Sequence, residues 1–316
     1  MPTDTEQIQT LIERWANAVH AGDLDGVLAD HAEDIVMFDV PPPYEGVLGI
    51  DAYRETWPPF FEWQRQGASF EIESFDVAAG QDVAFAHALL RCGTPQEFAD
   101  RPENRLRLTL GLRKEVGRWV VVHEHHSFPH TGVDGDTGVD ADTVVGGNTD
   151  VGGDTDVGGD TDETSVNRTD SQHARAEGEI RQLHQRWFEG TVAKDLDAMM
   201  AAIASDVVSY EHEAPLQYVG VDAVRAVCRR GLDAAGDATV RWDVPDLRIL
   251  VRDDLAVAWG LNLMQVEQPD GGMLDSWSRG TRVFERRDGD WMMIHQHLSF
   301  PYDRDTGTRG SDPDPS

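Results

Sequence analysis

The chain repeats itself. Residues 119–129 read WVVVHEHHSFP, and residues 291–301, offset by 172 positions, read WMMIHQHLSFP. The opening of each half corresponds in the same way. Residues 8–39, IQTLIERWANAVHAGDLDGVLADHAEDIVMFD, lie over residues 180–211, IRQLHQRWFEGTVAKDLDAMMAAIASDVVSYE. Ile8, Leu11, Arg14, Trp15, Asp23, Leu24, Asp25 and Asp34 meet Ile180, Leu183, Arg186, Trp187, Asp195, Leu196, Asp197 and Asp206. One residue drops out around a proline run, so GIDAYR at 49–54 meets GVDAVR at 220–225, and the offset is 172 again near Asp82 and Asp254. A period this long in 316 residues means two tandem globular units of about 125–130 residues, an ordinary domain size, and excludes a solenoid.

The boundaries place copy 1 at 1–130, a linker at 131–174, copy 2 at 175–303 and a disordered tail at 304–316. The linker repeats Val-Gly-Gly-Asx-Thr-Asp three times. Gly-rich acidic repeats resemble calcium-binding β-rolls, but those have a nine-residue period and many turns. A solvated, flexible connector fits better, with a reach of roughly 35–40 Å that lets the units pack face to face.

Within each copy, helical patterns come first and strands follow. Thr3 and Glu6 have capping-box spacing, and Ile8, Leu11, Ile12, Trp15 and Val19 form one apolar stripe. Asp23 and Asp195 each open a second short helix, a β-rich segment follows, and GIDAYRETW or GVDAVRAVC begins a third helix. Strands are then expected near 70–78, 82–92, 105–114 and 119–127, with counterparts near 240–251, 255–266, 275–284 and 291–299. The fold class is α+β, three helices packed in one curved antiparallel sheet, twice over.

Composition narrows the partners. Acids number 58 against 27 bases, for a formal charge of −31, and Lys114 and Lys194 are the only lysines. The linker holds eleven acids and one Arg, so about −21 stays on the folded units. Such a surface repels nucleic acid and anionic membranes. It suits a salt-rich cytoplasm, where ions screen self-repulsion; an ordinary acidic protein is the alternative. Cys92 and Cys228 offer neither a disulfide framework nor a metal motif. The N-terminus lacks the basic and apolar regions of a signal peptide, and no run of 18 apolar residues occurs. A cytoplasmic location without a cofactor is expected.

Strict alternation along the last strand puts His123 and His125 on one face with Trp119, Val121 and Ser127, and Glu124 and His126 on the other. In copy 2 it groups His295 and His297 with Trp291, Met293 and Ser299. Either these imidazoles face the interior and serve acid/base work or ligand contact, or the motif closes the sheet with hydrogen-bonded histidines. A metal pair completed by Asp39 is a third reading, and no metal site is assigned. The second face carries Val120 and Val122 in copy 1 and Met292, Ile294 and Leu298 in copy 2. Those apolar groups need cover, which the sister unit can give in an intramolecular pseudo-dimer, sheet against sheet.

The order of elements, together with AGDLDG (21–26), AEDIVMFD (32–39) and WVVVHEHHS, resembles the SnoaL-like family of the nuclear-transport-factor-2-like superfamily, which includes ketosteroid isomerases. The resemblance implies a cone, a curved sheet wrapped around the first helix with a pocket at one end. It places an isomerase-like base at Asp39, matched by Glu211 in copy 2. It also places Trp15 and Trp187 at the position of the isomerase tyrosine, and Thr109 and Thr281 near its protonated aspartate, all four as ligand contacts. An indole and a neutral hydroxyl are not that oxyanion hole, which argues against steroid isomerisation. The implied function is binding of a small, largely apolar molecule, with isomerase-, cyclase- or hydrolase-like acid/base turnover in copy 1 by Asp39 with His123 or His125. Glu211, His295 and His297 are the copy 2 counterparts. The alternative is a non-catalytic module that binds a ligand or a protein.

Overall fold

A computed structural model describes residues 2–130, 166–268 and 271–302. Copy 1 runs α1 (Asp4–Ala21), α2 (Leu24–Leu28), β1 (His31–Phe38), β2 (Val47–Leu48), α3 (Ile50–Gln64), β3 (Ser69–Ala79), β4 (Val83–Gly93), α4 (Pro95–Asp100), β5 (Leu106–Glu115) and β6 (Arg118–Ser127). Copy 2 runs α5 (Val166–Ala193), α6 (Leu196–Met200), β7 (Ile203–Tyr210), β8 (Tyr218–Val219), α7 (Val221–Ala235), β9 (Val240–Asp243), β10 (Arg248–Arg252), β11 (Leu255–Glu267), β12 (Met273–Arg287) and β13 (Asp290–Ser299). Helix α5 starts ahead of the boundary expected at residue 175. The rest of the expected linker, 131–165, and the tail lie outside the described residues.

Local chemistry sets the helix ends. The Thr3 hydroxyl accepts from the Glu6 amide at 3.2 Å while the Thr3 amide donates to the Glu6 carboxylate at 2.7 Å, so two otherwise unpaired donors are satisfied. Gly22 closes α1 at φ 69°, a conformation that strains residues with a Cβ. The face between them buries Ile8, Leu11, Ile12, Trp15, Ala18 and Val19 against the concave sheet. Truncating Trp15 there would cost about 3–5 kcal/mol. Helix α4 was not expected; Thr94 and Glu97 form a second capping box, with Pro95 in the first turn. The strand expected over 240–251 is two, because Pro245 cannot donate to a ladder and a turn at Val244–Leu247 separates β9 from β10.

Copy 1 has the sheet order β2-β1-β6-β5-β4-β3, and copy 2 repeats it as β8-β7-β13-β12-β11-β10, with β9 also on β11. All neighbours are antiparallel except β1–β6 and β7–β13, which are parallel. These pairs join the beginning and end of each unit, so no hairpin forces them to oppose.

The outer faces of the two sheets meet. Val36, Phe38, Val83 and Phe85 of copy 1 share one apolar cluster with Leu255, Val257, Trp259 and Val283 of copy 2. Ala32, Val120 and Val122 pack with Leu250. The approach is close at Gly111, where a Cβ would stand 3.2 Å from Val257 Cγ1. The ends interlock reciprocally: the His130 amide donates to the His212 carbonyl at 2.9 Å, and the Tyr302 amide donates to the Val40 carbonyl at 3.0 Å.

Candidate functional site

The last strand does not alternate throughout. In β6 the register against β5 slips between Val121 and His123, so Val122 is an inserted, bulged residue. Trp119 and Val121 point into the cone, but the slip turns His123, His125 and Ser127 outward and brings Glu124 and His126 inside. The same slip occurs at Ile294 in β13, turning His295 and His297 outward. The expectation that His123 or His125 meets Asp39 inside the cone is thereby corrected, as is its copy 2 counterpart.

These histidines form a seam between the copies. His123 Nδ1 lies 2.9 Å from the Val36 carbonyl, which can only accept, so Nδ1 carries the proton and Nε2 accepts. The Thr281 hydroxyl then donates to His123 Nε2 at 2.7 Å and accepts from His125 Nδ1 at 2.9 Å. His125 Nε2 in turn accepts from Ser299 at 2.8 Å. The reciprocal half joins Thr109 to His295 at 2.8 Å and His297 at 2.9 Å, and His297 to Ser127 at 2.7 Å. At the centre the His125 and His297 rings stack at 3.7 Å, tilted by 2°. Burial holds His123 down to about 3 and His125, His295 and His297 well below the ordinary imidazole range, so all four are neutral at pH 7. Thr109 and Thr281, expected as ligand contacts, belong to this seam and not to the cones.

Two buried arginines flank it. Arg107 donates to the Glu211 carbonyl at 2.5 Å and to Ser127 at 3.0 Å. Arg279 donates to the Tyr44 carbonyl at 3.0 Å, to the Pro41 carbonyl at 3.1 Å, and to the carbonyls of Asp39 and Pro43. Each copy therefore holds the loop after the other's first strand.

Inside copy 1 the polar groups converge on Glu124, which is fully buried. Its Oε1 accepts from Tyr53 at 3.0 Å and from His31 Nε2 at 2.8 Å. Its Oε2 lies 3.1 Å from His126 Nε2, an ion pair off the hydrogen-bond axis. His126 Nδ1 is 3.7 Å from Asp39 Oδ1 at the cone rim, and that oxygen also accepts from the Val40 amide at 2.8 Å. Burial would raise Glu124, but His126 and His31 outweigh it and hold the carboxyl at about 2. Burial would lower His126, but Glu124 raises it above the ordinary imidazole value. Burial and then the Glu124 charge push Tyr53 far up. Around them Trp15 Nε1, Trp57 Nε1 and His31 Nδ1 are buried without aligned partners. The result is a carboxyl–imidazole–carboxyl chain from the rim to the aromatic interior.

Copy 2 keeps only the carboxylate matching Asp39: Ile203, Val224, Cys228, Gln296 and Leu298 stand where copy 1 has His31, Tyr53, Trp57, Glu124 and His126. Glu211, matching Asp39, accepts from Ser209 at 2.5 Å and from Gln296 at 3.1 Å, and burial raises its carboxyl above the usual range. Copy 2 instead buries Arg282 beside Trp187, which lines a narrow cavity. Trp15, its counterpart, packs edge-on against Trp57 and Phe70 in the core of copy 1. Among the described residues, no group of three His, Cys, Asp or Glu is placed to hold a metal ion. Nor is any helix among them long and apolar enough to cross a membrane.

Sequence reasoning missed His31, Tyr53, Glu124, His126 and Arg282 as interior groups. A signal for the strand residues existed in the repeat: Glu124, His126 and Arg282 differ from their counterparts and lie inside the cones, whereas Arg107, Thr109, His123, His125 and Ser127 are shared with copy 2 and lie on the seam.

A SnoaL-like domain profile matches residues 8–131 and 180–303, more than half of the chain. The protein belongs to the SnoaL-like family, in two tandem copies. An NTF2-like protein of unknown function from Pseudomonas putida is 28% identical, covering 45% of this chain and 98% of its own, with a TM-score of 0.41. An NTF2-like protein with a cystatin-like fold from Novosphingobium aromaticivorans is 18% identical, covering 45% and 91%, at 0.38. A putative dehydratase of the NTF2-like family from Streptomyces avermitilis is 14% identical, covering 41% and 98%, at 0.37. No curated protein matches the sequence.

Proposed function

We propose that the cones take a small, largely apolar molecule and that copy 1 moves protons on it, with Asp39 at the rim as base and His126, oriented by Glu124, as its proton partner. The observation that carries this reading is the chain from Asp39 at the rim through buried His126 and Glu124 to Tyr53, which the fold does not require, since copy 2 keeps only the first carboxylate, as Glu211. A carboxylate beside an imidazole suits transfer of a proton next to a carbonyl without a cofactor. The test screens the full chain against ketonic, hydroxylated and epoxide compounds, then assays Asp39→Asn. Turnover should fall at least 100-fold with the fold intact; unchanged turnover would remove Asp39 from the assignment.

A second reading, binding without turnover, is supported by the dense aromatic packing of Trp15, Tyr53, Trp57, Phe61 and Phe70 in copy 1. Saturable ligand binding with no product from any compound class would favour it.

The pairing of the copies belongs to the same proposal. The seam supports a stable intramolecular pseudo-dimer with an approximate two-fold axis. Halves cut between residues 131 and 165 should elute together at pH 8; separate elution there would refute it. The acidic surface and scarcity of lysine support a salt-rich cytoplasm. A melting temperature that rises from millimolar to molar KCl is expected, and a flat one would count against it.

A further inference from the structure

Copy 2 contains an unmatched cation. Arg282 is 1% exposed and projects from β12 into the cone, opposite in direction to the seam. Its Nη2 donates to Asn262 Oδ1 at 2.9 Å, and Asn262 Nδ2 donates to Ser278 Oγ at 3.1 Å. Its Nε and Nη1 are buried without a partner. Among the described residues no carboxylate comes within ion-pair distance of it. Trp187 gives its guanidinium a ring face at 5.2 Å, and the carboxyl of Glu211 exerts the one acidic influence on it. Burying a guanidinium with two idle donors is expensive unless an anion completes it.

Nothing in the fold demands this cost. Arg282, Asn262, Ser278 and His184 occupy the positions of Leu110, Leu90, Leu106 and Ile12 in copy 1, where the same framework is filled with leucine and isoleucine. The guanidinium borders a narrow cavity of about 20 Å³, whose other walls include Leu183, His184, Trp187, Met199 and Phe284. That volume admits one small polar group, such as a carboxylate head, and little more. His184 Nδ1 faces the Ile180 carbonyl at 3.0 Å, so Nδ1 carries the proton and the idle Nε2 is an acceptor, not a second anion donor. Nε–H and Nη1 point to different edges of the guanidinium, so one idle N–H at a time meets an anion; with thioether, aromatic and aliphatic walls this fits one oxygen of a very small carboxylate.

We propose that the cone of copy 2 binds a very small monocarboxylate, of the size of acetate, with one carboxylate oxygen accepting from an idle N–H of Arg282 and its methyl group against Met199 and Phe284. This rests on the reading that the cones take small molecules, and not on turnover in copy 1.

Saturation-transfer NMR on the full chain, at constant ionic strength, should detect sodium acetate, while butyrate, too long for the cavity, should bind at least 10-fold more weakly. Acetamide should bind at least 10-fold more weakly than acetate. Arg282→Leu, which installs the copy 1 residue, should reduce carboxylate affinity at least 10-fold, and Arg282→Lys, which keeps the charge but moves its donors, by a smaller factor. Asp39→Asn should leave it unchanged. Equal binding of acids and amides, or undiminished acid binding in Arg282→Leu, would overturn the carboxylate assignment. If Arg282→Leu fails to fold, the Lys variant and the acid-to-amide ratio decide. Absence of carboxylate binding with retained neutral ligands would sink this proposal alone; absence of both would sink the cone reading as well.

Discussion

Copy 1 and copy 2 are built on one frame and differ in what they bury. Copy 1 gathers His31, Tyr53, Glu124 and His126 where copy 2 has Ile203, Val224, Gln296 and Leu298. Copy 2 gathers His184, Asn262, Ser278 and Arg282 where copy 1 has Ile12, Leu90, Leu106 and Leu110. Both solutions are compatible with the same strand order and helix packing. The polar contents are therefore not structural necessities of the cone. At the seam the reverse holds: Arg107, Thr109, His123, His125 and Ser127 recur as Arg279, Thr281, His295, His297 and Ser299.

Acid should separate seam from interior most sharply. The four seam histidines have folded values below their unfolded ones, so the unfolded state binds protons first as pH falls. Their stabilisation is complete above the unfolded value of about 6.5 and is lost as pH drops below it, at about 1.4 kcal/mol per pH unit for each histidine. The cut halves should thus come apart between pH 6.5 and 5. His126 has the opposite sign: its folded value is raised, so its contribution is present below about 6.5 and fades as pH rises through the folded value. Glu124, held at about 2, contributes above the unfolded value of about 4.3 and fails only as pH falls toward 2. Chromatography of the halves across this range checks the order, and co-elution at pH 5 would break the seam account.

A smaller effect concerns the interior of copy 1. Glu124→Gln should cost about 3–5 kcal/mol in urea unfolding, because it leaves His126 buried without its counterion. Adding His126→Leu reproduces copy 2's own pair and should recover about half of that loss. Strictly additive costs would show that the two residues do not act as a unit.

The smallest lies in the turn before each last strand. Val116 sits at φ 48° and is fully exposed, a strained position for a β-branched residue, whereas Asp288 takes the same place in copy 2 at φ 54°. Val116→Asp should stabilise copy 1 by about 0.5–1 kcal/mol, read as a shift in its thermal transition. No shift would mean that the turn carries no strain to relieve.

Most of the architecture was legible from the repeat. Strand positions follow β-branched runs and turn residues, and the need to cover Val120 and Val122 followed from their apolar character. The side-chain directions beyond them did not, because a bulge adds one residue without any chemical mark. Val122 and Ile294 suit a bulged or a regular position equally, yet each reverses the face of everything after it. Asp39 was named from family resemblance alone; His126, whose ring lies 3.7 Å from it, was misplaced by that single residue. Helix α4 was missed although its capping box is written in Thr94 and Glu97, because six residues show no periodicity.

The grip of Arg279 on the carbonyls beside Asp39 has a genetic consequence. In a dimer of identical chains, every substitution appears twice, so a change that sharpens one cavity is imposed on the other. Fusing the duplicates into one reading frame removes that coupling. Either half can be rewritten alone while its twin, clamped across the rim, goes on supporting the loop it does not itself use.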